Sequence, residues 1–355
     1  MRRMLLPLLF CITMLALYPA RAHACTSFAV YREDTLYGMD FDYSDVPIRY
    51  VISQNGGTAV FHVDFEAYGR YVPIAGMNEH GLFLAVQMLY PEALKTPGQD
   101  EEELHAFAQE ALFNMRSVEE ALRALEHKRV VNSFLMLHCM LADKNGTAIV
   151  LEPGDGENRI TQNPGDYLVM TNFFNADFYH PDTQRMENVD CTRYLAAENC
   201  ILQGGDAFSV ADGMETLKSA MQKEGDYPTQ NSIVCDPVNG ELYIAIRGDF
   251  ETVWKVSLKE KTIESFRGIA KPIKLELGEE GISAQTLVDL KNEAKLEPPS
   301  QQAAAANPSP QPPADAPAPD KTGLAGVDAL LLCLGILCVV IAWRLFRKRK
   351  GRPLE

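Results

Sequence analysis

An apolar leader that ends in Ala22-His23-Ala24, directly before Cys25, sets the point from which this chain can begin to fold. Arg2 and Arg3 give the leader a basic start, and residues 5–17, "LLPLLFCITMLAL", are nearly all apolar. The apolar run is too short for a membrane span, and a small-x-small site follows it. Residues 1–24 therefore read as a secretory signal peptide. Cleavage after Ala24 would make Cys25 the first residue, with a free α-amine. A lipoprotein signal also stops before a cysteine, but it favours a small residue at the penultimate position, where this chain has His23. Lipidation would block the amine.

Export permits disulfides. Of eight cysteines, Cys11 lies in the leader and Cys333 and Cys338 lie in a late apolar stretch. Cys25, Cys139, Cys191, Cys200 and Cys235 remain. An odd number leaves one thiol over if the rest pair, and Cys25 is the natural one to be left. The pairing of the other four is not fixed by sequence; Cys191 and Cys200 are close enough in the chain to suggest one bridge.

The body of the chain alternates short strand-like runs with polar turns. "TSFAVYRE" and "TLYGMDFDYS" predict a first hairpin, and "YVPIAGMNEHGLFLAVQMLY" a second with Asn78-Glu79-His80-Gly81 at its tip. "NSFLMLHCMLADKNGTAIVLEP" reads as strand, Lys-Asn-Gly turn and strand, and "DYLVMTNFF" ends another strand. Helical spacing occurs twice over 99–126, around a break near Arg116-Ser117, and again over 190–202 and 207–223. "NSIVCDPVNGELYIAIRG" and "ETVWKVSLKEKTIESF" add final hairpins. Many strands with helices in separate blocks predict sheets covered by helices on their outer faces. A net charge of −15 argues against nucleic-acid binding, which needs a basic surface.

The character changes after residue 270. Residues 283–296 predict one helix, within a segment, 271–322, that otherwise reads as linker; its Pro/Ala/Gln-rich part over 297–320 is an extended, stiff stretch with nothing to bury. Residues 323–344 hold an apolar core, Ala329 to Trp343, that with its lead-in approaches the ~20 residues of a bilayer span. The basic tail over 345–355 belongs on the cytoplasmic side of such a span. The expectation is a signal peptide (1–24), a catalytic domain (25–270), a linker (271–322), a transmembrane helix (323–344) and a tail.

A cysteine freed at the N-terminus carries a nucleophile and a base in one residue. The amine's pKa is about 7.7–8.0 and the thiol's about 8.5, so the neutral amine can take the thiol proton near neutral pH. Such a site needs a carboxylate to hold the amine, donors for the tetrahedral oxyanion and a cation that favours thiolate. Asp42, at the end of the second strand of the first hairpin, returns beside Cys25. Asn172 ends "DYLVMTN", where a strand-end amide can point into a cleft. Arg193, in "DCTRYL", sits on a predicted helix.

Together these residues resemble a known family. "CTSFAV" with "YGMDFDYS", "GMNEHGLFLAVQMLYP", "LHCMLADKNGTAIVLEP", "VMTNFF" and "CTRYL" follow in order the motifs of the choloylglycine hydrolase and penicillin V acylase family, the linear amide C–N hydrolases of the N-terminal nucleophile superfamily. The resemblance covers about residues 25 to 260. It implies an α+β, four-layer αββα N-terminal-nucleophile hydrolase fold, here with a C-terminal transmembrane helix in addition. It also implies hydrolysis of a small-molecule acyl amide, with no cofactor and no metal. By the same resemblance Cys25 is the nucleophile, Asp42 holds the amine, Asn172 is an oxyanion donor and Arg193 is the late catalytic-site arginine. Gln87 falls where bile salt hydrolases place a further oxyanion asparagine, and relatives leave room for a homo-oligomer.

One position departs from the pattern. Where the family usually has Gly-Arg-x-x-Asp, this chain reads Gly38-Met39-Asp40-Phe41-Asp42, so the substrate-facing arginine is Met39 and supplies no cation. Arg49 or Arg193 could substitute. The departure also keeps a second reading open: a disulfide-stapled binding domain of the same fold that has lost the chemistry. Histidines are the rival bases. His138 abuts Cys139, but neighbours on a strand point to opposite faces, so His138 reads as a core or supporting residue and not as that thiol's partner.

Overall fold

The computed structural model describes residues 25–89, 94–178 and 191–296. The expected signal peptide, transmembrane segment and basic tail lie outside them, as does the Pro-rich stretch after residue 296. Among the described residues no helix is long and apolar enough to cross a membrane.

Period-two alternation builds two large antiparallel sheets. The first has the order β12 (Tyr167–Met170), β1 (Thr26–Tyr31), β2 (Thr35–Asp42), β13 (Thr229–Asp236), β14 (Glu241–Ile246), β15 (Asp249–Ser257), β16 (Thr262–Arg267), β17 (Lys274–Glu276). The second runs β11 (Asn158–Gln162), β10 (Thr147–Pro153), β9 (Leu137–Asp143), β6 (Phe83–Met88), β5 (Arg70–Asn78), β4 (Thr58–Ala67), β3 (Ile48–Asn55), β18 (Ile282–Ser283). A short parallel pair, β7 (Glu101–Glu103) and β8 (Arg129–Val131), stands apart. The predicted hairpins are present as β1–β2, β5–β6, β9–β10 and β13–β14.

Each strand sorts its residues by parity. Tyr37, Met39 and Phe41 of β2 face inward with Ala29 of β1, against Phe61 and Val63 of β4 and Phe83 and Ala85 of β6. Phe28, Val30 and Leu36 face outward and pack under α4 (Thr192–Gln203) and α5 (Val210–Ala220). Leu82, Leu84 and Leu141 cover the other outer face with α1 (Leu104–Asn114) and α2 (Val118–Leu125). A one-residue slip in any strand would exchange its two faces, so the packing fixes register. The result is four layers, helix–sheet–sheet–helix. Gly38 belongs to this packing: a Cβ there would meet the Phe28 ring at 2.3 Å.

The break predicted near Arg116-Ser117 separates α1 from α2, and Ser117 caps α2 by accepting from the Glu120 backbone N–H at 3.3 Å. A capping box of Ser209 and Asp212 starts α5. A single turn, α3 (Asn175–Phe178), follows β12, and α6 (Ala284–Leu296) matches the last predicted helix.

Two expectations are corrected. The folded unit does not end at residue 270: β17 pairs with β16, β18 pairs with β3, and Leu277 and Leu287 join the inter-sheet core. Short strands such as "KLE" carry too little periodicity to be read in advance. Cys191 and Cys200 do not pair. Cys191 precedes α4 and Cys200 lies near its end, so nine residues at 1.5 Å each set them roughly 13 Å apart, beyond the reach of a disulfide. All five described cysteines are free.

Candidate active site

The site forms where β1 begins. Register places Ser27 opposite Met170, so Asn172, two residues on, comes beside Cys25. On the other side Thr26 pairs with Asp40, which carries Asp42 past the start of β1. Arg193, in the first turn of α4, reaches the same point from the helical layer. Four residues separated by up to 168 positions therefore meet because a three-strand register and one helix end converge.

The contacts are specific. Cys25 N donates to Asn172 Oδ1 at 2.6 Å. Arg193 Nη1 donates to the Cys25 carbonyl at 2.8 Å, and its two terminal nitrogens lie 3.4 and 3.3 Å from Asn172 Oδ1. Arg193 Nη1 is 4.0 Å from Asp42 Oδ2. Asp42 Oδ1 accepts from Thr229 Oγ1 at 2.5 Å, and the Cys25 Sγ lies 3.9 Å from the Asp42 carbonyl oxygen.

The sequence assignments fare differently. Cys25, Asp42, Asn172 and Arg193 are brought together. Asn172, however, presents its amide oxygen to Cys25 N, and its Nδ2 donates to the Met88 carbonyl at 2.6 Å. In this arrangement its oxygen holds the nitrogen, and one of its two N–H groups is used by Met88. Gln87 lines the same cavity as Cys25 and donates from Nε2 to Ser27 Oγ at 2.6 Å. Met39, expected at the substrate, is buried between the sheets, and Phe41 takes the place at the cavity wall. Arg49 does not replace the missing cation. It is bound to Asp64 at 2.9 Å and lies over the Tyr71 ring at 4.1 Å. Arg193 is the arginine that hydrogen-bonds Cys25.

Asp40 was not singled out by sequence, yet it belongs here. It is fully buried, two residues from Asp42 on the same strand face, opposite Thr26 and Ser232. Among the described residues neither Asp40 carboxyl oxygen has a hydrogen-bond partner in this structure, and the same holds for Asp42 Oδ2, Thr26 Oγ1 and Ser232 Oγ. The Asp-x-Asp spacing on a strand was the available signal, since i and i+2 share a face.

Burial governs the protonation of these groups. It lifts Asp42 to about 7, against the Thr229 hydrogen bond and the Arg193 charge, which pull down. It raises Asp40 well above the usual carboxylate range, with the Asp42 charge adding to the effect. The Cys25 thiol is pushed up to about 12, first by burial and next by Asp42. A peptide nitrogen has no basic lone pair, so with residue 24 attached nothing on Cys25 itself can take the thiol proton. Released as an α-amine, the same nitrogen becomes a base, and once protonated a cation one residue-length from the sulfur.

The thiol opens into a cavity of about 930 Å³ lined by Phe41, Tyr43, Phe65, Val72, Ile74 and Leu137 among others. Ile74 reaches it through a bulge in β5, where the register slips between Val63 and Asp64. At the rim Tyr68 and Phe134, 82% and 65% exposed, meet edge to face at 5.6 Å. The cavity accepts a large apolar group beside the sulfur.

Comparison with known proteins bears on the family and the fold. Residues 61–219 match the sequence model of the linear amide C–N hydrolases, choloylglycine hydrolase family. The match takes in Gln87, Asn172 and Arg193 and begins after Cys25 and Asp42. No curated protein matches the chain in sequence. A variant of conjugated bile acid hydrolase from Clostridium perfringens superposes with a TM-score of 0.53 at 16% identity, covering 68% of this chain and 97% of that one. Penicillin V acylase from Agrobacterium tumefaciens gives 0.54 at 19% identity, covering 68% and 91%. At such identities the likeness is one of fold.

Proposed function

We propose that this chain is a linear amide C–N hydrolase of the choloylglycine hydrolase family, whose sequence model matches residues 61–219, and that it cleaves small acylated amides with Cys25 as an N-terminal nucleophile. The observation that carries this reading is the setting of Cys25. Its nitrogen is held by Asn172, its carbonyl by Arg193, and its thiol faces an apolar cavity.

The α-amine of Cys25 takes the thiol proton as sulfur attacks the amide carbonyl. Asn172 Oδ1 and the carboxylate of Asp42 stabilise the resulting ammonium, and Arg193 keeps the backbone of Cys25 in place. Gln87 Nε2, on the cavity wall, supplies an N–H to the tetrahedral oxyanion. The C–N bond then breaks, the leaving nitrogen takes the proton from the ammonium, and a thioester remains on Cys25. Water, deprotonated by the now neutral amine, attacks the thioester and releases the acid and the thiol.

The apolar wall suits a hydrophobic acyl group, as in acyl-amino acids, acyl-homoserine lactones, penicillin V-like amides or conjugated bile acids. The leader over 1–24 and the apolar segment over 323–344 support an exported enzyme tethered to a membrane by its C-terminus.

The test is intact mass and N-terminal sequencing of the protein purified from membranes, followed by a panel of acyl amides. A chain starting at Cys25, a thioester-sized mass gain with substrate, and no turnover in Cys25→Ala are expected. A blocked amine or a different first residue would sink the mechanism.

A further inference from the structure

Three buried polar side chains form a row across the inner face of the second sheet. Gln87 on β6 and His138 on β9 are direct cross-strand neighbours. Glu152 on β10 lies one residue past the Leu151–Cys139 pair, which sets it on the other side of His138. All three are at most 1% exposed. One end of the row is anchored. Glu152 accepts the backbone N–H groups of Asn175 and Ala176 at 2.7 and 3.0 Å, and its Oε1 is 3.3 Å from His138 Nδ1. The other end touches the nucleophile's strand, where Gln87 Nε2 donates to Ser27 Oγ, two residues from Cys25.

Two atoms in the middle have no hydrogen-bond partner among the described residues: His138 Nε2 and Gln87 Oε1. They are chemically complementary, a ring nitrogen that can carry a proton and an amide oxygen that can accept it. Directly opposed residues of an antiparallel pair have Cβ atoms about 4.5–5.5 Å apart, so a small side-chain rotation joins them. An amide with one end unheld can turn over, and a flipped Gln87 would offer oxygen to an oxyanion.

We propose that His138 is a positioning residue for Gln87: its Nε2–H donates to Gln87 Oε1 and fixes the amide with its N–H groups toward Ser27 and Cys25. The inference rests on the reading of Gln87 as an oxyanion donor. One N–H of Gln87 is used by Ser27 and the second is left for the carbonyl oxygen of the substrate. Glu152 Oε1 lies 3.3 Å from Nδ1 and holds the ring from that side. The segment that anchors Glu152 follows Asn172 by three residues, so one stretch of chain holds both the nucleophile's nitrogen and the far end of this row.

The histidine can be dissected by isosteres. In the chain starting at Cys25, His138→Gln keeps a donor near the Nε2 position, and His138→Asn keeps one near Nδ1 only. His138→Gln is expected to hold kcat within about threefold, while His138→Asn and His138→Ala lower it about tenfold or more with KM little changed. Gln87→Ala should cost as much, and the double variant no more than Gln87→Ala alone. Full kcat in His138→Asn with a loss in Gln87→Ala overturns the proposal and leaves the reading of Gln87 standing. Full kcat in Gln87→Ala overturns that reading. A measurement that needs no turnover decides the contact itself: ¹⁵N NMR of the wild-type chain should show a slowly exchanging proton on His138 Nε2 whose shift moves in Gln87→Ala. A resonance absent, or indifferent to Gln87, overturns the proposal whatever the activity.

Discussion

Two buried carboxylates, one in each sheet, are treated in opposite ways. Asp64 on β4 is 1% exposed and fully engaged: Arg49 donates to Oδ2 at 3.0 Å through Nε, and His62 Nδ1 lies 2.6 Å from Oδ1. Asp42 on β2 is equally buried, but Oδ1 has only the Thr229 hydroxyl, Oδ2 has no hydrogen-bond partner, and the guanidinium stands off at 4.0 Å. A carboxylate that serves only the fold is neutralised on the spot, because an unpaired buried charge is costly. One that must receive a cation formed during a reaction has to be left short of partners. The difference marks Asp42 as a residue kept for work and Asp64 as a strut.

The comparison breaks most sharply under paired substitutions. Asp42→Asn should lower kcat/KM about 100-fold or more, because a preorganised charge beside the ammonium is lost, with little loss of stability. Asp64→Asn should do the reverse, costing about 3 kcal/mol of folding stability by stranding Arg49 and His62, with near-normal turnover in the molecules that remain folded. Steady-state kinetics and urea unfolding on the same two variants check both. If Asp64→Asn lost turnover while staying folded, the division between strut and working group would fall.

Asp40 sharpens the contrast through pH. Asp42, at about 7 in the folded protein against about 3.9 unfolded, binds a proton in the native state that the unfolded chain has already released. Stability from this group is therefore highest below about pH 4 and is lost as pH rises to about 7. Asp40, raised well above its ordinary value by burial and by Asp42, acts in the same direction. Asp40→Asn removes an ionisable group whose charged form is disfavoured by burial and by Asp42. It should raise the melting temperature at pH 8 by several degrees and flatten the fall between pH 4 and 8. An unchanged pH profile in the variant would count against a proton held at Asp40.

What the sequence disclosed of this site follows the reach of each signal. Cys25 was legible because a leader points at it. Asp42 was legible from hairpin return and Asn172 from a strand end, and both depend on short-range pattern. Sheets covered by helices on their outer faces were legible from the alternation of strands with separate helical blocks, and the four layers were read from the resemblance. Asp40 escaped because a second acid in "MDFD" reads as polar filler until the outer face is known to lie under α4 and α5. Thr229 escaped because it joins Asp42 across 187 positions, through a strand pairing that no local pattern encodes. The role of Asn172 was read from resemblance, and its orientation is decided by the Met88 carbonyl, which only the assembled sheets bring near.

Thr229 gives the finest probe of the difference between the two carboxylates. Its hydroxyl donates the one hydrogen bond that the Asp42 side chain receives among the described residues, and it is the first influence that holds the carboxyl down against burial. Thr229→Val keeps the shape and removes the donor. The charged form of Asp42 loses a partner and the neutral form does not, so the carboxyl must titrate at higher pH. If ionised Asp42 is what receives the ammonium, the acidic limb of kcat/KM should move up by about one pH unit, the equivalent of about 1.4 kcal/mol, while the plateau changes little. A plateau that fell without any movement of the limb would mean that Thr229 shapes the site and does not tune Asp42. A basic limb that moved up while the acidic limb stayed in place would mean that Asp42 works as the acid, and the contrast with Asp64 would then concern a proton held ready, in place of a charge.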